Sequence, residues 1–370
     1  MVRRSIIPLH LILLLCCLLT GCLGSKEIQD QAYITSIGFD VEDEQIIVYF
    51  QALSFANIAK KEGGEPTAAP ILIGRGKGSS IEEAFNHIEQ TTAVPLHYGQ
   101  INTLVISEKA MEKWLNTILD FMGRNSFLRY TTWTYGTNES IQDIFEAESF
   151  FGQPPLYSII HRPITVMKEN SFLPVVPFHD FIGDFYEPVG ASYIPSIYIN
   201  KENWQEDKEK KLAAIDGLYV FSEEKYKGKF TKDDMEGLKW FNPETNKIYI
   251  PLKKLKVSVQ IVKPKVKIKL KGKDKPVYNV EIDVESTLDQ NVEGLEVTTI
   301  EKQLEKKIKK QVMNTYEKAL EKKIDIYNLT RNTYRFHHKR WDVGTINDLS
   351  KDSLKVKVNV FIPHTGDYKK

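Results

Sequence analysis

Between residues 255 and 271 the chain reads LKVSVQIVKPKVKIKLK, and its last nine positions alternate lysine with Pro264, Val266, Ile268 and Leu270. Successive side chains on a strand point to opposite faces. Val266, Ile268 and Leu270 therefore face one way, and Lys265, Lys267, Lys269 and Lys271 the other. Residues 277–284 (VYNVEIDV) alternate in the same manner. Thr298-x-x-Glu301 then has the spacing of a capping box and opens a helix that runs to about Lys323. Ile300, Leu304, Ile308, Val312, Tyr316 and Leu320 form a single apolar line along it. Strands with one apolar face, followed by a helix with one apolar line, bury both by laying the helix over the sheet. Two further strand-like stretches, around Thr333–Phe336 and over 354–362, close the chain. The expected class is α+β, with antiparallel or mixed sheets, packed helices and one long helix at about 298–323.

The first half mixes elements more evenly. Residues 31–39 and 45–53 read as a hairpin across the polar turn DVEDE. KKEGGEPTAAP (60–70) has loop composition, and Ile71–Ile73 form a short apolar strand. A helix begins at Ser79 or Ser80, each with a glutamate three residues on, and Ile81, Ala84, Phe85 and Ile88 share one face. INTLVI (101–106) reads as a buried strand, and Ser107 caps a helix with a stripe from Met111 to Met122. A strand at 129–135 and a short helix at 139–147 follow. From 152 to 199 prolines exclude a long helix, so irregular structure and short edge strands are expected. NKENWQEDKEKK (200–211) has the polarity of a boundary. A strand (AIDGLYVF) and a short helix near Lys232–Trp240 come next.

The N-terminus constrains location. Arg3 and Arg4 precede a fourteen-residue apolar run, Ile6 to Leu19, which ends in Leu-Thr-Gly-Cys at 19–22. The run is shorter than the roughly 20 residues a spanning helix needs, and Pro8 and His10 interrupt it. A basic tip, an apolar run and small residues before a cut site make a signal peptide. Leu-Thr-Gly-Cys is the form of a lipoprotein box, in which the thiol carries diacylglycerol and Cys22 becomes the new N-terminus. Two acyl chains anchor stably where one is marginal. The other cysteines, Cys16 and Cys17, lie inside the signal, so a mature chain of 349 residues has no internal disulfide and no cysteine-based metal site. It carries 48 basic and 49 acidic side chains, a balance that offers nothing to nucleic acid.

No catalytic constellation stands out. GRGKGSS (74–80) fails both phosphate-loop spacings and reads as a flexible turn into a capped helix. The lysine ladder at 263–271 has two readings: contact with anionic lipid or wall polymer, or a solvated sheet face with a charge-protected edge. His337-His338 lacks further ligands for a metal, and His87, His97, His161, His179 and His364 are scattered. Asp233-Asp234 reads as a solvated pair. The aromatics from Phe150 to Tyr198 fit either a partner-binding face or a core.

GCLGSKEIQDQAYITSIGFD resembles the mature start of the C subunits of spore nutrient-germinant receptors, the GerAC or Ger(x)C lipoproteins. The matching positions are Cys22, Lys26-Glu27, Ile28, Asp30 and Gly38-Phe39-Asp40. The resemblance continues through SIEEAFNHIE, LHYGQINTLVISEKA and LDFMGRNSFLR with Arg124-Asn125. In the second half it runs from DGLYVF through the long helix to KKIDIYNL and KRWDV near Trp341. Gln100 stands where the family often has histidine, Tyr327-Asn328 replaces a Phe-Gly type pair, and the tail ends HTGDYKK. The resemblance implies three small mixed domains, which suits the division read from the residues: a signal peptide over 1–21, then units at about 22–199, 200–262 and 263–370. It also implies a subunit without catalysis or cofactor, anchored through Cys22 to the outer face of the spore inner membrane. Its partners would be an integral-membrane A subunit and a transporter-like B subunit. A solute-binding lipoprotein is the alternative. It calls for two doubly wound lobes around a cleft, against which the antiparallel-looking second half argues.

Overall fold

The computed structural model describes residues 31–53, 71–125, 127–164, 174–205, 209–242 and 247–364. Two mixed sheets organise them. The first is built from β1 (Ala32–Glu42), β2 (Gln45–Leu53), β3 (Ile71–Gly78), β4 (Leu96–His97), β5 (Thr103–Ser107), β6 (Trp133–Thr137), β7 (Ser192–Asn200), β8 (Leu212–Ser222) and β9 (Lys225–Thr231). Its order is β3-β2-β1-β5-β6-β7-β8-β9, with β4 beside β1. Strands β1, β5, β6 and β7 run parallel at its centre, and antiparallel pairs flank them. The β1–β2 turn is tight because Asp43 and Glu44 both take positive φ, 50° and 63°, as a hairpin turn of this hand requires.

A parallel centre needs cover on both faces. Helices α1 (Ile81–Glu89), α2 (Glu108–Lys113), α3 (Leu115–Arg124) and, after α4 (Ile141–Phe145), α5 (Phe178–Phe185) supply it. Ile46, Val48 and Phe50 of β2 join the core under α1, α3 and α5. Ile47 and Tyr49 point the other way, to α4.

The second sheet is β10 (Lys247–Leu252), β11 (Val257–Lys271), β12 (Val277–Asn291) and β13 (Leu354–His364), in that order. β10, β11 and β12 are antiparallel, and β13 lies parallel to β12. Helix α6 (Val297–Glu321) crosses one face and buries Ile300, Leu304, Ile308, Val312 and Tyr316 completely. Helices α7 (Leu329–His337) and α8 (Val343–Asn347) fill the crossover to β13. The outer edge of β13 is not bare. Glu305 accepts from the Val360 N–H at 3.2 Å and Glu301 from the Ile362 N–H at 2.9 Å. Glu301 is thus spent on the sheet edge, and the capping box expected at Thr298 does not form: Glu296 is the N-cap, with no side-chain hydrogen bond.

The 200–262 stretch is shared between the sheets, β8 and β9 completing the first and β10 opening the second. Leu218, Val220 and Phe230 join the core of the second sheet, while Tyr219 and Phe221 join that of the first.

Several local readings differ from the observed chain. Residues 74–78 are strand, not a flexible turn. Gly74, Gly76 and Gly78 share the face on which α1 lies, and a Cβ on Gly76 would sit 1.9 Å from the Ala84 carbonyl oxygen. Ser80 does cap α1. The 152–199 stretch holds α5 and an internal strand, β7, rather than edge strands. Pro195 is accommodated there because the β6–β7 ladder has thinned to one bridge, Gly136–Ser196. Residues 129–132 are a turn, and 133–137 the strand. Two single 3-10 turns replace the helix near Lys232–Trp240. Thr333–Phe336 belongs to α7, not to a strand. Its β-branched and aromatic residues suit a strand by propensity, but Leu329, Thr330 and Thr333 bury one helical face, and Thr333 bonds the Tyr278 hydroxyl at 2.9 Å.

Candidate functional site at the junction of the two sheets

Cys22, the residue singled out for lipid attachment, lies outside the described residues, as do Lys26, Ile28, Asp30 and Phe172. Among the described residues no helix is long and apolar enough to cross a membrane. Among them, too, no three His, Cys, Asp or Glu gather as a metal site would need. His337 and His338 stand exposed at the end of α7. Asp234 is engaged structurally, accepting from the Thr231 N–H and pairing with Lys318 of α6. The aromatic stretch divides: Phe178, Phe181 and Phe185 are core, whereas Phe150, Phe151, Tyr157 and Tyr186 are about half exposed or more.

Of the scattered histidines, His161 is fully buried in a polar knot. Its Nε2 lies 2.9 Å from Gln51 Oε1 and its Nδ1 2.5 Å from Asn102 Oδ1. Thr35 and Ser36 donate to the same Gln51 oxygen, and Gln51 donates to the Phe145 carbonyl at 2.7 Å. The knot therefore ties β1, β2, α4 and the 160–161 turn together. Burial, helped by the nearby Arg162 charge, pushes the imidazole pKa down to about 3. The unfolded chain, with a pKa near 6.5, binds a proton that the folded chain refuses. Stability from this group is complete above that value and is lost as pH falls toward 3. Between pH 7 and 5 the loss is about 2 kcal/mol. Urea unfolding at the two pH values checks it: His161→Gln, though less stable overall, should lose that part of the slope. An unchanged slope would assign the acid sensitivity to other groups.

The two family segments quoted from the second half, KKIDIYNL and KRWDV, form one surface and dock on the 184–191 loop between α5 and β7. Asn328 sits in the left-handed region at φ 54°. Glycine or asparagine takes that conformation most readily, which accounts for Asn where the family has a Phe-Gly type pair. Its Oδ1 accepts from the Ala191 N–H at 2.7 Å. Gly190, at φ 82°, leaves room for that oxygen, which a Cβ would meet at 2.6 Å. Arg331 donates to the Ala191 carbonyl at 2.8 Å and pairs with Asp184 at 2.6 Å. Its Nε is 3.4 Å from Glu187, an ionic contact without hydrogen-bond geometry. Arg335 grips Glu187 with two hydrogen bonds, 2.8 and 2.9 Å. Trp341 packs with Val189 and Ile346 under the Arg340 guanidinium, 4.3 Å from its ring centre. Asn347 reaches the Pro188 carbonyl.

Behind this surface Asp325 is buried at the start of α7 and accepts two hydrogen bonds from Thr330. Burial pushes its carboxyl above the ordinary range, against the pull of those donors. Asp184 is likewise raised by burial, with Arg331 pulling the other way. Arg331, Glu187 and Asp184 carry no motif of their own.

The comparisons with known proteins cover both sheets. Residues 24–199 match a family model described as the spore germination protein N-terminal domain. Residues 216–366 match one described as spore germination B3/GerAC like, C-terminal. The chain is 25% identical to spore germination protein KC of Bacillus subtilis (strain 168), over 99% of this chain and 97% of that one. It is 23% identical to spore germination protein GerQC of Bacillus cereus, over 61% and 58%. The crystal structure of the GerBC protein aligns with a TM-score of 0.51 at 16% identity, over 89% of this chain and 97% of that one, a likeness of fold. With both halves matched in order and the fold shared, the chain belongs to the GerAC-like, or Ger(x)C, family of spore germination proteins.

Proposed function

We propose that this chain is the lipid-anchored C subunit of a nutrient germinant receptor. It is exported, acylated at Cys22 and held on the outer leaflet of the spore inner membrane. There it acts with a membrane-embedded A subunit and a transporter-like B subunit as a scaffold or sensing part, without chemistry of its own. The observation that carries this reading is the ordered match of both halves to the germination family, directly behind Leu-Thr-Gly-Cys. The clasp between 184–191 and 325–347 supports a scaffold role, because it holds the two sheets in one piece.

Spores lacking the chain test the receptor role. They should lose their response to one class of nutrient among amino acids, sugars and nucleosides, and still germinate by a receptor-independent trigger. A normal response to every nutrient, in a strain that also lacks other receptors, counts against it. For the anchor, Cys22→Ala should move the protein from the membrane fraction to the soluble one. If the variant still pellets with membranes and takes acyl label elsewhere, Cys22 is not the attachment point.

A further inference from the structure

The nearly neutral chain is strongly polarised. Residues 22–246 carry 20 lysines and arginines against 33 carboxylates, and residues 247–364 carry 26 against 15. The excess positive charge has a face. α6 covers the inner side of the second sheet, and no described element covers the outer side. The register sets three rows across it: Lys269–Asn279–Lys355, Lys267–Glu281–Lys357 and Lys265–Asp283–Asn359. Strands lie about 4.8 Å apart, so the lysines of β11 and β13 flank β12 at about 10 Å from each other. The carboxylates in these rows, Glu281 and Asp283, are already matched, and Glu285 stands exposed on the same face beside Phe361. Lys267 pairs with Asp283 at 3.0 Å, Lys357 pairs with Glu281 at 3.1 Å, and Asn359 donates to both acids. Among the described residues no carboxylate pairs with Lys265, Lys269, Lys271 or Lys355. A hollow of about 300 Å³ opens between the rows. Toward the other end of the same face stand Tyr249 of β10 and Phe361 of β13, each 62% exposed.

We propose that this outer sheet face docks on an anionic phospholipid leaflet, headgroup phosphates meeting the unpaired lysines and the two aromatic rings entering the interfacial layer. Clustered lysines near a membrane gain from its negative surface potential, and exposed aromatics beside lysines mark surfaces that lie at the interface. The polarity of the chain turns the same way, because the acidic first sheet is repelled from the leaflet that attracts the second. A structural reading, edge protection by charge, accounts for alternation along β11. It does not account for Lys355 on β13, a strand whose edge is met at residues 360 and 362 by Glu305 and Glu301.

The inference goes beyond the anchor reading and is tested without it. The probe is the full mature chain carrying Cys22→Ser, hence without acyl groups, floated with phosphatidylcholine vesicles with or without phosphatidylglycerol. It should bind only the anionic vesicles, and added salt should release it. Each lysine near such a surface is worth about a factor of five in partition. Lys269→Gln/Lys271→Gln/Lys355→Gln together should therefore lower binding about a hundredfold. Lys254→Gln/Lys306→Gln/Lys310→Gln remove equal charge from the helix side and should leave binding largely intact. All these residues are exposed, and matching thermal unfolding of the variants establishes that they fold. No binding to anionic vesicles overturns the proposal. Equal loss from both triple variants also overturns it, since net charge and not this face would then be responsible. Binding to soluble poly-glutamate without binding to vesicles overturns it too, in favour of an acidic protein partner. None of these failures touches the anchor, which the Cys22→Ala fractionation decides separately.

Discussion

Arg331→Met lowers the stability of the chain by about 3–5 kcal/mol, the usual cost of removing one partner from a buried ion pair. Arg331 is only 15% exposed, with Asp184 at 32% and Glu187 at 10%, so the lower end of that range is expected. Asp184 loses its cation outright, Glu187 keeps only Arg335, and the Ala191 carbonyl loses a donor. Arg335 is 55% exposed, so Arg335→Met costs no more than about 1 kcal/mol. Denaturant unfolding separates the two variants. The pH dependence adds a second signature. Burial already raises the Asp184 carboxyl above its ordinary value, and Arg331 opposes that rise. Without Arg331 it rises further. A raised carboxyl binds its proton more tightly in the folded chain, so its contribution is full at low pH and is lost as pH climbs through the raised value. The gap between Arg331→Met and the parent should therefore narrow on acidification. Equal midpoints at neutral pH would mean that Arg335 alone secures the clasp.

Gly76→Ala costs about 3 kcal/mol, at the upper end of ordinary overpacking. The new methyl would lie 1.9 Å from the Ala84 carbonyl oxygen and 2.9 Å from Ile88 Cγ1. The first is backbone and cannot swing aside, so α1 must lift off β3. The same change at Gly123 of α3 or Gly183 of α5, where nothing lies within 4 Å of the added carbon, should instead stabilise by up to about 1 kcal/mol, because alanine favours helix over glycine. Thermal unfolding of the three variants reads opposite signs for one chemical change. A neutral Gly76→Ala would show that α1 does not rest on the strand.

What could be read from the residues alone was whatever had a clean period. The alternation at 263–271 and 277–284 and the four-residue spacing from Ile300 to Tyr316 located β11, β12 and α6, and the helix lies over the sheet as that pattern requires. Short elements were less legible. Gly-Arg-Gly-Lys-Gly has the composition of a loop, and only the approach of α1 explains why it is a strand. Thr333 to Phe336 has strand propensity, yet the burial of Leu329 and Thr333 on one side makes it helix. Pro195 argues for an edge until the thinned β6–β7 ladder is seen. The clasp was invisible for a different reason. Arg331 and Glu187 are 144 residues apart, and nothing local to either reports the other. Asn328 was noticed only as a departure from the family pair. Its left-handed backbone and its bond to Ala191 give that departure a physical sense.

The two glutamates of α6 that close the edge of β13 have a consequence for many copies rather than one. Proteins tethered to a surface meet each other at far higher effective concentration than free ones, and an open strand edge in such company is a template for polymerisation. With Glu301 and Glu305 occupying the free N–H groups at 360 and 362, a neighbouring copy finds no donors there to pair with. On the anchor proposed above, dense two-dimensional packing on a leaflet can then proceed without fibres growing along it.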